Sequence, residues 1–155
     1  ISFLHEKKPL GTAGGIFMLK KYKFENFILT NCDTIVDYDY KKILDYHLKN
    51  KNIITLISSI NKISIPYGVC RIDKSQNLKK IDEKPVVKNL VNIGSYLLNS
   101  KILKLVKNNE KIEMDELIKL TIKKKMKIKV YCINNDEWSD VGEWSSYLKY
   151  ANQTK

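Results

Sequence analysis

The sequence predicts an α/β layered fold with a mixed sheet, and three observations carry that prediction. Short runs rich in Ile, Val and Leu alternate with segments of helical periodicity, the order of a layered α/β unit. Two strand-like runs, "YGVCRID" and "LKKIDEKP", then follow one another around a polar turn, which adds an antiparallel insertion. No repeat, low-complexity tract or linker interrupts the 155 residues, so residues 1–155 read as one unit of ordinary domain size.

The elements follow in order. Phe3-Leu4-His5 suits the tail of a strand. "PLGTAGGI", Pro9 to Ile16, holds three of the six glycines and bares its backbone, either for a tight turn or for close approach of a ligand. Ile16 to Lys21 has a helical pattern, with Lys20, Lys21 and Lys23 at the end where cations suit the helix dipole. "NFILTNCD" is a buried strand ending in polar residues. Asp39 to Lys51 is a helix carrying Ile43, Leu44, His47 and Leu48 on one face, and "IITLISSI" is the next strand. The insertion turns at Lys74 to Asn77. "LVNIGSYLLN" is a strand, Lys101 to Lys107 a helix, and Met114 to Lys124 a helix with Asp115 and Glu116 in its first turn. "KIKVYCI" alternates as a strand, and Glu143 to Tyr150 closes the chain as a helix.

The composition excludes several functions. A chain of this length buries roughly 70% of its unfolded surface and needs no disulfide staples. Cys32, Cys70 and Cys132 lie far apart outside any metal-ligand spacing, which favours a reducing, cytoplasmic setting over a zinc or disulfide framework. No apolar run approaches the ~20 residues that span a bilayer, so no membrane partner is expected. The net charge of +11 raises nucleic-acid binding, yet Arg71 is the one arginine among 28 basic residues. Bidentate base readout favours arginine, so nucleic acid is not the expected partner.

Ligands of open α/β sheets gather beyond the carboxyl ends of the strands. Asn31-Cys32-Asp33 ends one strand, and Asp140 sits in the turn of "EWSDVGEW". Two such carboxylates converging on one cleft would suit Mg²⁺ bridging phosphate oxygens; alternatively Asp33 is a loop residue and Asp140 a helix cap. Glu83 and Lys84 of "EKP" end another strand and suit sugar hydroxyls and a phosphate, or form an exposed ion pair. Asn92 and Gly94 interrupt an apolar strand, as at a bulge or a ligand contact, and Gly68 precedes a strand. Asp37-Tyr38-Asp39 resembles the DxD pair of metal-dependent glycosyltransferases, although its place before a helix equally fits capping. His5 and His47 lack a partner for a hydrolase triad.

Taken in order, "EKKPLGTAGGI", "FILTNCD", "IPYGVCRID", "KKIDEKP", "LVNIGSYLLN", "EMDELI" and "EWSDVGEW" resemble the sugar-phosphate nucleotidyltransferases, nearest the mannose-1-phosphate guanylyltransferase-like branch. The resemblance covers essentially the whole chain. It implies a Rossmann-like α/β/α sandwich with a mixed central sheet. It also implies transfer of a nucleotidyl group from a nucleoside triphosphate, here GTP, to a sugar 1-phosphate with release of pyrophosphate.

The resemblance places Leu10, Gly11, Thr12, Ala13 and Gly14 against the nucleotide, and makes Asp33 and Asp140 the Mg²⁺ ligands. It places Gly68, Glu83, Lys84, Asn92 and Gly94 at the sugar and its phosphate, with Lys84, Asp33 and Asp140 catalytic. Cys32 stands where the family has Gly, and no Gly-rich triphosphate loop with its Arg and Lys occurs. The fold is therefore expected to be incomplete at its N-terminus, inactive alone, and open at a sheet edge that invites self-association. Asp33 and Asp140 are expected to face one cleft, with Glu83, Asn92 and Gly94 lining a concavity beside it. The rival readings are a GT-A-type glycosyltransferase fragment built on Asp37-Tyr38-Asp39, and a non-catalytic basic binding module.

Overall fold

A computed structural model of the chain describes residues 1–142 together with Trp144, Tyr147, Leu148 and Ala151. The closing helix expected over Glu143 to Tyr150 falls largely outside the described residues.

The central sheet is mixed: β1 (Asn26–Thr30), β6 (Val86–Asn99), β3 (Ile54–Ser64) and β7 (Ile128–Ile133) lie side by side in that order. Strand β6 pairs antiparallel with β1 and with β3, whereas β7 runs parallel to β3. Alternation along β6 divides its side chains between two cores. Tyr96 and Leu98 join Ile54, Ala13, Leu103 and Leu117 on one face; Ile93 and Leu97 join Ile57, Ile43 and Tyr38 on the other. Helices therefore cover both faces, and the architecture is a Rossmann-like α/β/α sandwich. Leu98 and Ile54 are fully buried, and removing either side chain should cost about 2–5 kcal/mol.

Local chemistry sets the helix limits. Asp39 caps α2 (Tyr40–Asn50) by accepting from the amides of Lys41 and Lys42, and Lys51 ends it in the left-handed region at φ 52°. Glu113 and Glu116 form a reciprocal capping box at the start of α3 (Met114–Lys123). The expected helix at Lys101 is a 3₁₀ segment, Ser100–Leu105.

The glycine-rich stretch departs from expectation. It is not a loop ahead of a helix: Gly11–Gly14 is itself the first helical turn, α1, and continues as a 3₁₀ segment over Gly15–Lys21. Its glycines are required by other parts of the same chain. A Cβ at Gly11, where φ is 77°, would lie 2.8 Å from the Ile112 carbonyl; one at Gly14 would lie 2.9 Å from the Glu110 carbonyl. Hydrogen bonds from the Ala13 amide to Ile112 and from the Ile112 amide to Leu10 lock the turn to the entrance of α3.

Strands β3 and β6 are longer than their apolar runs predict and project beyond the body as a two-stranded ribbon. The hairpin of β4 (Val69–Ile72) and β5 (Leu78–Asp82) extends it. From Ile60 to Leu90 no residue is buried, and Ile60, Ile63, Tyr67, Ile72, Leu78, Ile81 and Leu90 are exposed. The chain exposes 11475 Å², against about 8,100 Å² for a compact monomer of its mass, so the ribbon contributes surface rather than core. Among the described residues no helix is long and apolar enough to cross a membrane.

Candidate active site

Two short strands that the sequence does not announce assemble the site. Strand β2 (Thr34–Val36) follows Asp33, and β8 (Trp138–Asp140) ends at Asp140. They pair antiparallel with Thr34 opposite Asp140, and the Val141 amide donates to the Asp33 carbonyl at 2.9 Å. Gly142 completes the turn: a Cβ there would lie 2.9 Å from Asp33 Oδ2 and 3.2 Å from Asp140 Oδ1. Those two oxygens are therefore within roughly 6 Å of one another, across a gap that the missing side chain leaves open.

A polar hollow of about 230 Å³ surrounds this pair, lined by Asn31, Asp33, Asn92, Gly94, Tyr96 and Asp140 among others. A bulge aims its far wall. Asn92 lies opposite Ser58 and Tyr96 opposite Leu56, so four residues of β6 span two of β3. Gly94 takes the turn at φ 75°, and Asn31 packs beneath it, with Nδ2 2.5 Å from where a Cβ would stand. Asn31 also donates its amide to the Gly94 carbonyl, and Thr34 Oγ1 donates to that of Ile93. The hollow is thus tied at once to β1, β2 and β6.

The structure brings Asp33, Asp140, Asn92 and Gly94 together, but not the other three residues of the expected sugar site. Gly68, Glu83 and Lys84 belong to the hairpin, and none lines the hollow. Strand β5 pairs with β4 and not with β6, and the regular ladder from Val86 to Asn92 holds "EKP" about 20 Å along the ribbon. Gly68 and Glu83 do adjoin, since a Cβ at Gly68 would lie 3.1 Å from Glu83 Oε2. Lys84 sits in a left-handed turn at φ 43°.

Leu10 to Gly14 form a separate locus. Glu113 Oε2 accepts from the Thr12 amide at 2.9 Å and the Thr12 hydroxyl at 3.0 Å, bonds that hold its carboxyl below the usual range. Beside them His5, Glu6, Leu10, Phe17 and Met18 line a hollow of about 450 Å³. Asp39 is engaged as the α2 cap: bonds from the Lys42 and Lys41 amides lower its carboxyl pKa, and Tyr38 is buried against Ser95. This supports the capping reading of Asp37-Tyr38-Asp39.

Sequence reasoning missed Thr34, Tyr96 and Trp138 as lining residues. Trp138 lies inside "EWSDVGEW", so its neighbour Asp140 was a usable signal. Nothing in the pattern around Tyr96 distinguishes it from a core residue.

The donor set fits a hard divalent cation. Two carboxylates line a polar hollow together with Asn31 and Asn92, an oxygen-bearing setting of the kind such ions take. No cluster of three or more His, Cys, Asp or Glu side chains that could hold a metal ion occurs among the described residues.

Known proteins resemble this chain in sequence and in fold. The chain is 28% identical over 155 residues to the mannose-1-phosphate guanylyltransferase catalytic subunit beta of Drosophila melanogaster, covering 94% of this chain and 40% of that protein. It is 32% identical over 159 residues to the mannose-1-phosphate guanyltransferase of Candida albicans, covering 96% and 42%. The chain thus spans about 40% of the length of these curated relatives. Its fold matches HddC from Yersinia pseudotuberculosis with a TM-score of 0.68 and 26% identity, over 97% of this chain and 65% of that one. HddC complexed with GMP-PN gives a TM-score of 0.66 at 25% identity, with the same coverage. The family model described as nucleotidyl transferase matches residues 1–155, and the chain belongs to that family.

Proposed function

We propose that the protein containing this chain transfers a nucleotidyl group from a nucleoside triphosphate, GTP, to a sugar 1-phosphate, and that this chain supplies the metal and sugar subsites. The observation that carries the reading is the pairing of Asp33 with Asp140 in one hollow with Asn92 and Gly94. The relatives named as mannose-1-phosphate guanylyltransferases, and the GMP-PN complex of HddC, support guanine and mannose as base and sugar.

A phosphate oxygen of the sugar attacks the α-phosphorus. The bond from that phosphorus to the bridging oxygen breaks, and pyrophosphate leaves. Such a displacement needs positioning and charge neutralisation more than acid–base help. Asp33 and Asp140 would hold Mg²⁺, which supplies Lewis-acid neutralisation of phosphate charge when bound. Asn92 offers both a donor and an acceptor to sugar hydroxyls, and bare Gly94 lets the ring approach the strand. No step is assigned to Lys84 with the hairpin in this position.

The test is direct. The protein at its natural full length, given GTP, mannose 1-phosphate and Mg²⁺, should form GDP-mannose and pyrophosphate. Asp140→Asn should lower turnover by ~10²–10³ with little loss of stability. Formation of free mannose or a glycoside from supplied GDP-mannose, without pyrophosphate chemistry, would instead favour a glycosyltransferase.

A further inference from the structure

Two linked hydrogen bonds run along the hollow. Asn92 Oδ1 accepts the Gly94 amide at 3.1 Å, and Asn92 Nδ2 donates to the Tyr96 hydroxyl at 2.6 Å. A backbone N–H only donates, so the first bond fixes which end of the carboxamide is oxygen. The second fixes the direction of its nitrogen.

Residues four apart in a regular strand are separated by about 13 Å and do not touch. Asn92 and Tyr96 meet because the bulge folds the strand back at Gly94. Their environments differ sharply. Asn92 is exposed at the hollow, whereas the Tyr96 ring is 5% exposed and packed in the core with Ile54 and Leu98. The ring is an immobile post, and the carboxamide is the group that would otherwise rotate in water. Burial also raises the Tyr96 pKa, keeping the hydroxyl protonated.

We propose that Tyr96 is a positioning residue for the sugar-phosphate subsite. It acts through Asn92, holding the carboxamide edge at the angle that reads the sugar's hydroxyls. The proposal rests on the function given above, and its failure is separable from failure of that reading.

Tyr96→Phe keeps the ring and removes the hydroxyl. In the full-length protein with GTP, mannose 1-phosphate and Mg²⁺, it should raise KM for the sugar phosphate about tenfold and leave KM for GTP unchanged. Asn92→Ala should give a comparable rise, and the double variant no further rise, because the hydroxyl works only through the carboxamide. In the unaltered protein the Asn92 side-chain amide protons should exchange more slowly than those of exposed Asn61, a readout that survives if Tyr96→Phe does not fold. An unchanged sugar KM in Tyr96→Phe, a joint rise in both KM values, additive effects, or equally fast exchange at Asn92 overturns the proposal. If the unaltered protein transfers to no sugar 1-phosphate, the function reading itself falls, and this proposal with it.

Discussion

Val141 donates its amide to the carbonyl of Asp33 across 2.9 Å, and this bond joins two segments far apart in the sequence at the candidate metal site. Strand β2 follows one carboxylate and β8 ends on the other, so each short strand exists mainly to place an acid. Gly142, next along, keeps the space between them free.

Gly142→Ala should therefore impair metal binding more than folding. Its Cβ would press on both carboxylates, while backbone strain plays no part because Gly142 lies outside the left-handed region. Mn²⁺ titration followed by electron paramagnetic resonance should show affinity weakened at least tenfold, with the thermal midpoint nearly constant. Undiminished Mn²⁺ affinity would remove this pair from the metal site.

Gly11→Ala should act in the opposite way, on stability. The new Cβ meets the Ile112 carbonyl in a left-handed conformation, at a cost of roughly 1–3 kcal/mol. A urea midpoint equal to that of the unaltered chain would mean the turn relaxes freely.

His47 makes stability depend on pH. Its Nδ1 is 2.8 Å from the Thr55 hydroxyl, its buried Nε2 has no partner among the described residues, and burial pushes its pKa below the ordinary 6.5. The unfolded chain thus takes up a proton at higher pH than the folded one. Stability is complete above about 6.5, falls as the pH drops below it, and levels off once the folded pKa is passed. The carboxylates held below their ordinary values, Asp39, Asp73, Asp82, Glu113 and Asp115, lose their contributions only at lower pH. Denaturation midpoints between pH 7.5 and 5.5 should decline, and His47→Gln should flatten the slope.

Residues 1–155 by themselves should not turn over. Among the described residues no Lys or Arg lines the hollow, so nothing but a bound cation offsets a triphosphate there. Losing one preorganised charge-stabilising donor typically costs ~10²–10³ in rate. Pyrophosphate release by the purified chain at about 1 s⁻¹ or faster would contradict this.

The main elements were legible because their signals are local. Strand β1, helices α2 and α3, strand β7 and the hairpin around Lys74 to Asn77 follow from periodicity, caps and turn residues. Strands β2 and β8 were not, since three residues carry no period and their pairing joins segments far apart in the sequence. The helical form of the glycine turn was not legible, because the neighbours that require its glycines, Ile112 and Glu110, lie far along the sequence. Ending β3 at Ile60 and starting β6 at Leu90 followed the apolar runs. The backbone ladder continues through Lys62 and Lys88, and that extension carries Glu83 and Lys84 away from Asn92.

The ribbon gives the protein two tiers of cooperativity. Lys62 stands directly opposite Lys88, and a two-stranded pairing with no layer on either face among the described residues is marginal by itself. Its amides should open and exchange with solvent in a local event, far sooner than those of Leu97 and Leu98 in the same strand β6. A single strand would then be protected at one end and labile at the other, with the boundary falling at the bulge beside Asn92.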